Sequence, residues 1–199
     1  IITAFAPVLD VRKTVTPQLR SDCGETQLLL LDLGAGANRM GGSILAQVNQ
    51  QMGDSAPDVD NPALLQGFFN AVQTSLEEGQ IVAYHDRSDG GLLATLVEMS
   101  FAGNVGISVD VFTLGEDPIA ALFNEELGAV IQVRSEHTNA IAERFSDAGV
   151  DVHLLGGLNK EQKIESISKK RRLFERPRVL LQRTWSETSY RMAAMRDNA

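Results

Sequence analysis

The chain of 199 residues contains a single cysteine, Cys23. One thiol excludes a disulfide framework within the chain, and no general base stands at a recognisable catalytic spacing from it. The sequence also lacks an apolar run that approaches the roughly 20 residues of a membrane-spanning helix. Residues 1–6 carry neither the charged region nor the cleavage pattern of a secretory signal. We therefore expect a protein of the reducing cytoplasm with no membrane partner.

Familiar catalytic and nucleotide-binding signatures are missing as well. No GxSxG elbow and no ordered Ser, His and Asp triad is present. The glycines of residues 34–42 stand between a predicted strand and a predicted helix, as a phosphate-binding loop would, but they match neither GxGxxG nor GxxxxGK[ST]. Two interpretations of this glycine segment stay open: a direct phosphate contact, or a turn after which Ser43 starts the helix.

The charge is distributed unevenly along the chain. Residues 159–199 hold 11 Lys and Arg against 5 Asp and Glu, a net charge of +6, and the formal total of −8 leaves −14 for residues 1–158. The basic run KKRR at residues 169–172 is short and has no aromatic array beside it. Because the acidic remainder would repel a polyanion, we predict no nucleic-acid partner.

Hydrophobic residues make up 43% of the chain, enough for a sizeable core, and strand and helix patterns alternate along it. Strands are predicted at residues 26–33, 81–84, 106–111, 129–134, 152–155 and 163–167, with an edge strand at 2–11 and a turn at 158–160. Helices are predicted at 43–52, 61–78, 117–123, 135–148 and 177–196, and after residue 91. The continuous leucine run at 28–31 indicates a strand covered on both faces. We predict an α/β or α+β fold, a mixed sheet with helices packed on it.

The most informative segment is HDRSDGG at residues 85–91, which lies between a predicted strand and a predicted helix. Free backbone N–H groups and the positive end of the helix dipole converge at such a junction, so anions bind well there. Asp86 and Asp89 have the wrong sign for a bare phosphate. A nucleotide at this junction would therefore bring Mg²⁺, which prefers carboxylate and phosphate oxygens.

A purely structural interpretation of the junction is also open. Asp and Ser are good N-caps and Gly favours turns, so the SDGG of residues 88–91 could simply start a helix. The side-chain oxygens of the segment exceed what one cap needs, which favours a binding role. Two interpretations of Asn124-Glu125-Glu126 also stay open. Its side chains could offer a further oxygen to a metal or a substrate, or they could be solvated acids that follow a helix.

Several long strings resemble one family of enzymes. They are AYHDRSDGGLL at residues 83–93, EMSFAG at 98–103, LFNEELGAV at 122–130, RSDCGET at 20–26, WSETSY at 185–190 and RDN at 196–198. Together they resemble the large phosphoribosylformylglycinamidine synthases over nearly the whole chain. Related kinases that handle selenophosphate or thiamine phosphate should lack the NEELG and WSETSY strings together.

The resemblance implies a ligase of purine biosynthesis. This family uses ATP and Mg²⁺ to convert formylglycinamide ribonucleotide and glutamine into the amidine, glutamate, ADP and phosphate. Its synthetase core resembles two copies of aminoimidazole ribonucleotide synthetase, and this chain would be the carboxyl-terminal half of the second copy. Because the chain begins without Met and ends directly after a helical pattern, we expect a piece of a longer protein.

The resemblance also implies roles for two residues. Asp86 resembles a Mg²⁺ ligand and Ser88 a contact of the nucleotide, ATP or ADP, in a site that is structural rather than catalytic. Residues 1–168 would form the synthetase-like α/β domain, and residues 169–199 a basic segment and helix that lead toward a glutaminase domain. The expected partners are the remaining synthetase and glutaminase domains, without which the chain should be inactive. The alternative is a purely structural or assembly domain of that enzyme.

Overall fold

The structure, a computed structural model, describes residues 3, 5–8 and 10–197. The strands within this part are β1 (Thr26–Asp32), β2 (Ile81–Asp86), β3 (Gly106–Asp110), β4 (Gly128–Arg134), β5 (Asp151–Asn159), β6 (Lys163–Ser168) and β7 (Arg171–Pro177). The α-helices are α1 (Ile44–Val48), α2 (Pro62–Glu77), α3 (Gly91–Gly103), α4 (Pro118–Phe123), α5 (Thr138–Asp147) and α6 (Arg178–Asp197).

The strands form one sheet in the order β2-β4-β1-β5-β3-β6-β7. Neighbouring strands run antiparallel, except for β3 and β6, which are parallel. Strand β1 pairs on one side with β4 and on the other with β5. This mixed sheet with helices packed on it confirms the predicted α+β fold class.

Helices cover both faces of the sheet. In β1, Leu28 and Leu30 pack into one core cluster with side chains of α3 and α4, whereas Leu29 and Leu31 pack into a second cluster with side chains of α2 and α5. The four leucines are at most 1% exposed, which confirms the predicted strand with two buried faces. Burial of each leucine contributes about 1.5–3 kcal/mol.

The helix starts follow local sequence signals. Asn61 caps α2, since its Oδ1 accepts from the amides of Ala63 and Leu64 at 3.1 and 3.3 Å. Ser43 Oγ accepts from the amide of Ala46 at 3.2 Å at the start of α1. These two caps confirm the predicted starts, although α1 ends at Val48 rather than at residue 52.

Two features of the later strands, β5 and β7, differ from the prediction. Strand β7 was not predicted, because its sequence RRLFERP is mostly charged, as suits an edge strand that pairs only with β6. Strand β5 continues to Asn159, so the predicted turn at 158–160 is wrong for its first two residues. The glycines at 156 and 157 favour the end of a strand in the sequence, yet both lie inside β5. Gly156, with φ of 144°, stands where the register between β5 and β1 shifts.

Two local predictions are wrong. The described residues of the predicted edge strand at 2–11 contain no strand, while residues 2, 4 and 9 of that range lie outside the described part. Ser135 is not an N-cap, because it begins a 3₁₀ turn whose preceding residue is Arg134, and its buried Oγ has no partner among the described residues.

The predicted division at residue 168 falls between two paired strands. Strand β7 pairs with β6, and α6 packs against α3, so residues 171–197 contact the same sheet and helix layer as the preceding chain. Where residues 169–199 lead in a longer protein stays a prediction. No helix in the described part of the chain combines the length and apolar character needed to cross a membrane.

Candidate functional site

The HDRSDGG segment lies where β2 ends and α3 begins. Asp86 is the last residue of β2, and Asp86, Ser88 and Asp89 are exposed there. The residue before α3 is Gly90, and no side chain among the described residues caps this helix start. The interpretation of Ser88 or Asp89 as a side-chain cap of α3 is therefore wrong.

Asp86 is held in place by neighbouring side chains. The Tyr84 hydroxyl donates to Asp86 Oδ1 at 2.6 Å. Burial, together with this hydrogen bond, holds the pKa of Tyr84 well above its usual range, so the phenol keeps its proton. The backbone carbonyl of Asp86 accepts from His85 Nδ1 at 2.8 Å and from Thr95 Oγ1 at 3.2 Å. The carboxylate is thus oriented through one oxygen, while Oδ2 has no partner within the described residues.

The two glycines shape the turn between Ser88 and α3. Gly90 and Gly91 have φ of 83° and 68°, and a Cβ on Gly91 would lie 2.5 Å from the carbonyl oxygen of Asn124. Their amides, expected to be free for an anion, are occupied: Gly90 donates to Glu125 Oε1 at 2.9 Å and Gly91 to the Ser88 carbonyl at 2.9 Å. Neither amide is therefore open to an anion, and the two glycines serve the turn.

Arg87 serves the fold rather than a ligand. Its side chain pairs with the buried carboxylate of Asp32 at the end of β1. Its Nε donates to the carbonyl oxygen of Glu126 at 2.6 Å and its Nη2 to that of Leu127 at 2.9 Å. With 5% exposure, Arg87 ties the junction to β1 and to the segment before β4.

The Asn124-Glu125-Glu126 segment is not solvated at its two buried positions. Glu126 is 1% exposed and forms a two-pronged ion pair with Arg39, with Nε to Oε1 at 2.7 Å and Nη2 to Oε2 at 2.8 Å. This pairing raises the pKa of the Arg39 guanidinium. Asn124 donates to Asn38 Oδ1 at 2.9 Å. Neither the ligand interpretation nor the solvated one describes these residues, which lock the glycine segment to the sheet.

The glycine segment at residues 34–42 behaves as a structural turn. The Gly36 amide donates to Asp32 Oδ2 at 3.3 Å, and the amides of Gly41 and Gly42 donate to the carbonyls of Ser55 and Met52 at 2.6 and 2.7 Å. A cradle for phosphate needs such amides free. Their internal bonds favour the turn that starts α1 over a phosphate contact.

The donor set at the junction suits a shared metal rather than a protein cage. The described residues contain no group of three or more acidic, His or Cys side chains that could hold a metal ion. Mg²⁺ in nucleotide sites is bound through one or two carboxylates, phosphate oxygens and waters. One oriented aspartate with a free oxygen therefore fits the part of such a shell that a single protein segment supplies.

Sequence reasoning missed the residues that support Asp86. Tyr84 stands two positions before Asp86 in β2, and the alternation of strand side chains places both on one face. That spacing is a signal that could have identified Tyr84. Thr95 carries no comparable signal, because its bond to the Asp86 carbonyl depends on how α3 packs against the end of β2.

Comparison with known proteins identifies the domain. A family model described as AIR synthase related protein, C-terminal domain, matches residues 28–169. The chain belongs to this family. The junction at residues 85–91 lies inside the matched range. Most residues of the two core clusters lie inside it as well.

Solved structures share the fold of this AIR synthase related domain. Thermotoga maritima PurL complexed with ATP has a TM-score of 0.68 at 16% identity, over 86% of this chain and 27% of that chain. T. maritima PurL complexed with FGAR has a TM-score of 0.64 at 16% identity, over 86% of this chain and 30% of that one. Escherichia coli HypE, a hydrogenase maturation protein, has a TM-score of 0.54 at 19% identity, over 82% of this chain and 51% of HypE. The chain therefore spans less than a third of the PurL chains.

Proposed function

We propose that this chain is part of the ATP- and glutamine-dependent ligase that converts formylglycinamide ribonucleotide to formylglycinamidine ribonucleotide in purine biosynthesis. The observation that carries the proposal is the Asp86 carboxylate, which Tyr84 orients through Oδ1 while Oδ2 has no partner within the described residues, at a junction of an AIR synthase related domain that also exposes Ser88. The similar PurL structures are described as complexes with ATP, ADP and FGAR, which supports a nucleotide as the ligand.

Different side chains of the junction would bind the metal ion and the phosphate. Asp86 would hold Mg²⁺ through Oδ2, while the Tyr84 hydroxyl keeps Oδ1 in place. The ion would neutralise phosphate charge that Asp86 and Asp89 would otherwise repel. The Ser88 hydroxyl would donate to a phosphate oxygen, and the N-terminal end of α3, a helix of 13 residues, adds a favourable dipole.

The remaining machinery of the reaction belongs to other parts of the parent protein. The described residues contain no glutamine-activating Cys and His pair, since the one cysteine, Cys23, donates only to Asp22, its neighbour in sequence, at 3.7 Å. We place this protein in the cytoplasm, with the other synthetase domains and a glutaminase domain as its partners and a structural nucleotide at the junction. The isolated chain then shows no ATP turnover with glutamine or ammonia, and product from the purified chain would contradict this.

Titration calorimetry with Mg-ADP tests the nucleotide site. Asp86→Asn removes the ligand charge, and we expect the affinity to fall at least about tenfold, the loss of about 1.4 kcal/mol. Ser88→Ala should weaken binding about fivefold, as loss of one hydrogen bond does. Asp89→Asn is the matched control, because it removes one carboxylate charge from the same exposed segment and leaves Asp86 unchanged. Its affinity for Mg-ADP should stay within about threefold of that of the unsubstituted chain.

Three results would contradict the proposal. Equal losses for Asp86→Asn and Asp89→Asn would mean that only the local charge matters. An unchanged affinity for Asp86→Asn would remove Asp86 from the site. Absence of Mg-ADP binding by the unsubstituted chain, at millimolar nucleotide, would favour the structural or assembly domain, in which the junction only connects β2 to α3.

A further inference from the structure

Trp185, the only tryptophan of the chain, connects α6 to α3. Its indole Nε1 donates to Glu98 Oε1 at 2.9 Å, and its ring lies 5.9 Å from that of Phe101, centroid to centroid. The side chain nevertheless remains 61% exposed. One hydrogen bond and one ring contact therefore hold a large, half-open aromatic side chain.

Glu98 faces the candidate site with its other oxygen. His85 Nε2 lies 3.1 Å from Glu98 Oε2, and His85 Nδ1 donates to the backbone carbonyl of Asp86 at 2.8 Å. A continuous line of polar contacts thus runs from the indole of Trp185 through Glu98 and His85 to the backbone of Asp86. None of these contacts is needed to bind Mg²⁺ or phosphate directly.

Helix α6 is held mainly along its first half. At its start, Arg178 is buried and its amide donates to the Gln162 carbonyl at 2.9 Å. An apolar groove of about 340 Å³ separates part of α6 from α1 and α3, with Trp185 on its wall and Gly90 at the junction end. Beyond Trp185, the large side chains of Tyr190 and Met195 are exposed. Leu181 also packs against the core cluster that includes Leu92 and Leu96, so the contacts of α6 lie in its first half, and the bond from Trp185 to Glu98 is one of them.

We infer that His85 and Glu98 are positioning residues that couple nucleotide occupancy at Asp86 to the seating of α6 through Trp185. This inference rests on the proposed nucleotide site. A Mg-nucleotide bound to the Asp86 carboxylate shifts the backbone carbonyl of Asp86. Because His85 contacts this carbonyl and Glu98 contacts His85, the shift reaches the indole of Trp185. Coupling of this kind is reciprocal, so loss of the Trp185 contact must also change nucleotide affinity by the same factor.

The single tryptophan allows a direct test on the 199-residue chain. With excitation at 295 nm, we expect the emission of Trp185 to change on addition of Mg-ADP, with the same midpoint as the heat of binding measured in parallel. Glu98→Ala should abolish this emission change and lower the Mg-ADP affinity about fivefold, at the low end of typical coupling factors. Glu187→Ala, on the exposed side of α6, is the matched control and should keep both signals.

A second variant keeps the coupling testable if Glu98→Ala fails to fold. Trp185→Phe keeps a ring against Phe101 but removes the indole donor, and we expect the same fivefold loss of affinity by calorimetry. Heat of binding without an emission change, or Glu98→Ala with a full emission response, would overturn the coupling and leave the nucleotide site intact. Absence of heat with the unsubstituted chain would overturn the proposed site, and the coupling with it.

Discussion

The HDRSDGG junction has an inner half and an outer half with opposite uses. On the inner side, Arg87 pairs with Asp32 and reaches the carbonyls before β4, and both side chains are buried. On the outer side, Asp86 and Ser88 are exposed, and Asp86 Oδ2 has no partner in the part of the chain that the structure describes. Polar residues that are neighbours in sequence thus stabilise the fold on one side and are exposed on the other. A cluster of polar residues in a sequence does not by itself say which of them are available.

Removal of Arg87 should break the inner half most severely. Arg87→Met leaves the Asp32 carboxylate buried without its partner, and loss of one member of a buried pair costs about 3–5 kcal/mol of unfolding free energy. Urea denaturation measures this loss. Arg191→Ala breaks an exposed pair with Glu187 and should cost less than about 0.5 kcal/mol. Similar costs for the two variants would mean that the inner half is not structural.

The turn itself can be tested with two glycines of similar backbone conformation. Gly36 and Gly91 have φ of 70° and 68°, but only at Gly91 would a Cβ meet other atoms. Gly36→Ala should cost about 1–2 kcal/mol for the left-handed backbone, and Gly91→Ala about 1–3 kcal/mol more for the clash with the chain at Asn124. Thermal and urea unfolding provide the comparison. Equal costs would show that close packing does not constrain the junction.

The outer half should respond to high pH through Tyr84. The folded-state pKa of Tyr84 lies above its ordinary value of 10.0, chiefly because of burial, so the unfolded chain loses the phenol proton first. The stability that Tyr84 contributes is complete below pH 10 and is lost as the pH rises beyond it. From pH 9 to 11, unsubstituted protein should lose about 1.4 kcal/mol relative to Tyr84→Phe. A constant difference between the two proteins across this range would contradict the burial of Tyr84 beside Asp86.

Much of the secondary structure follows from local patterns. The leucine run of β1 and the Asn61 cap of α2 are visible in the sequence because they depend on neighbouring residues. The charged strand β7 was not predictable from local patterns, since it is a strand only because β6 offers it a partner. Ser135 satisfies the sequence rule for a cap but does not act as one, because its buried hydroxyl meets no donor or acceptor among residues 3, 5–8 and 10–197.

The candidate site was predictable in location but not in detail. The strand, the polar segment and the helix pattern were sufficient to place Asp86 and Ser88 at a junction. The binding roles of these two residues remain predictions until the nucleotide experiments are made. Glu125 occupies the Gly90 amide that was expected to be free, and it does so from 35 positions away in the chain. No local spacing reports such a contact.

By itself, the sequence determined six of the seven described strands, the two-faced burial of β1 and the position of the polar junction, because these depend on hydrophobic periodicity and on residues close along the chain. Only the tertiary structure decided that Arg87 turns inward to Asp32, that Glu126 pairs with Arg39 and that Glu98 joins His85 to Trp185. The physical reason is that a charged side chain is stable in the interior only beside a partner of opposite charge. That partner is supplied by the packing of distant segments.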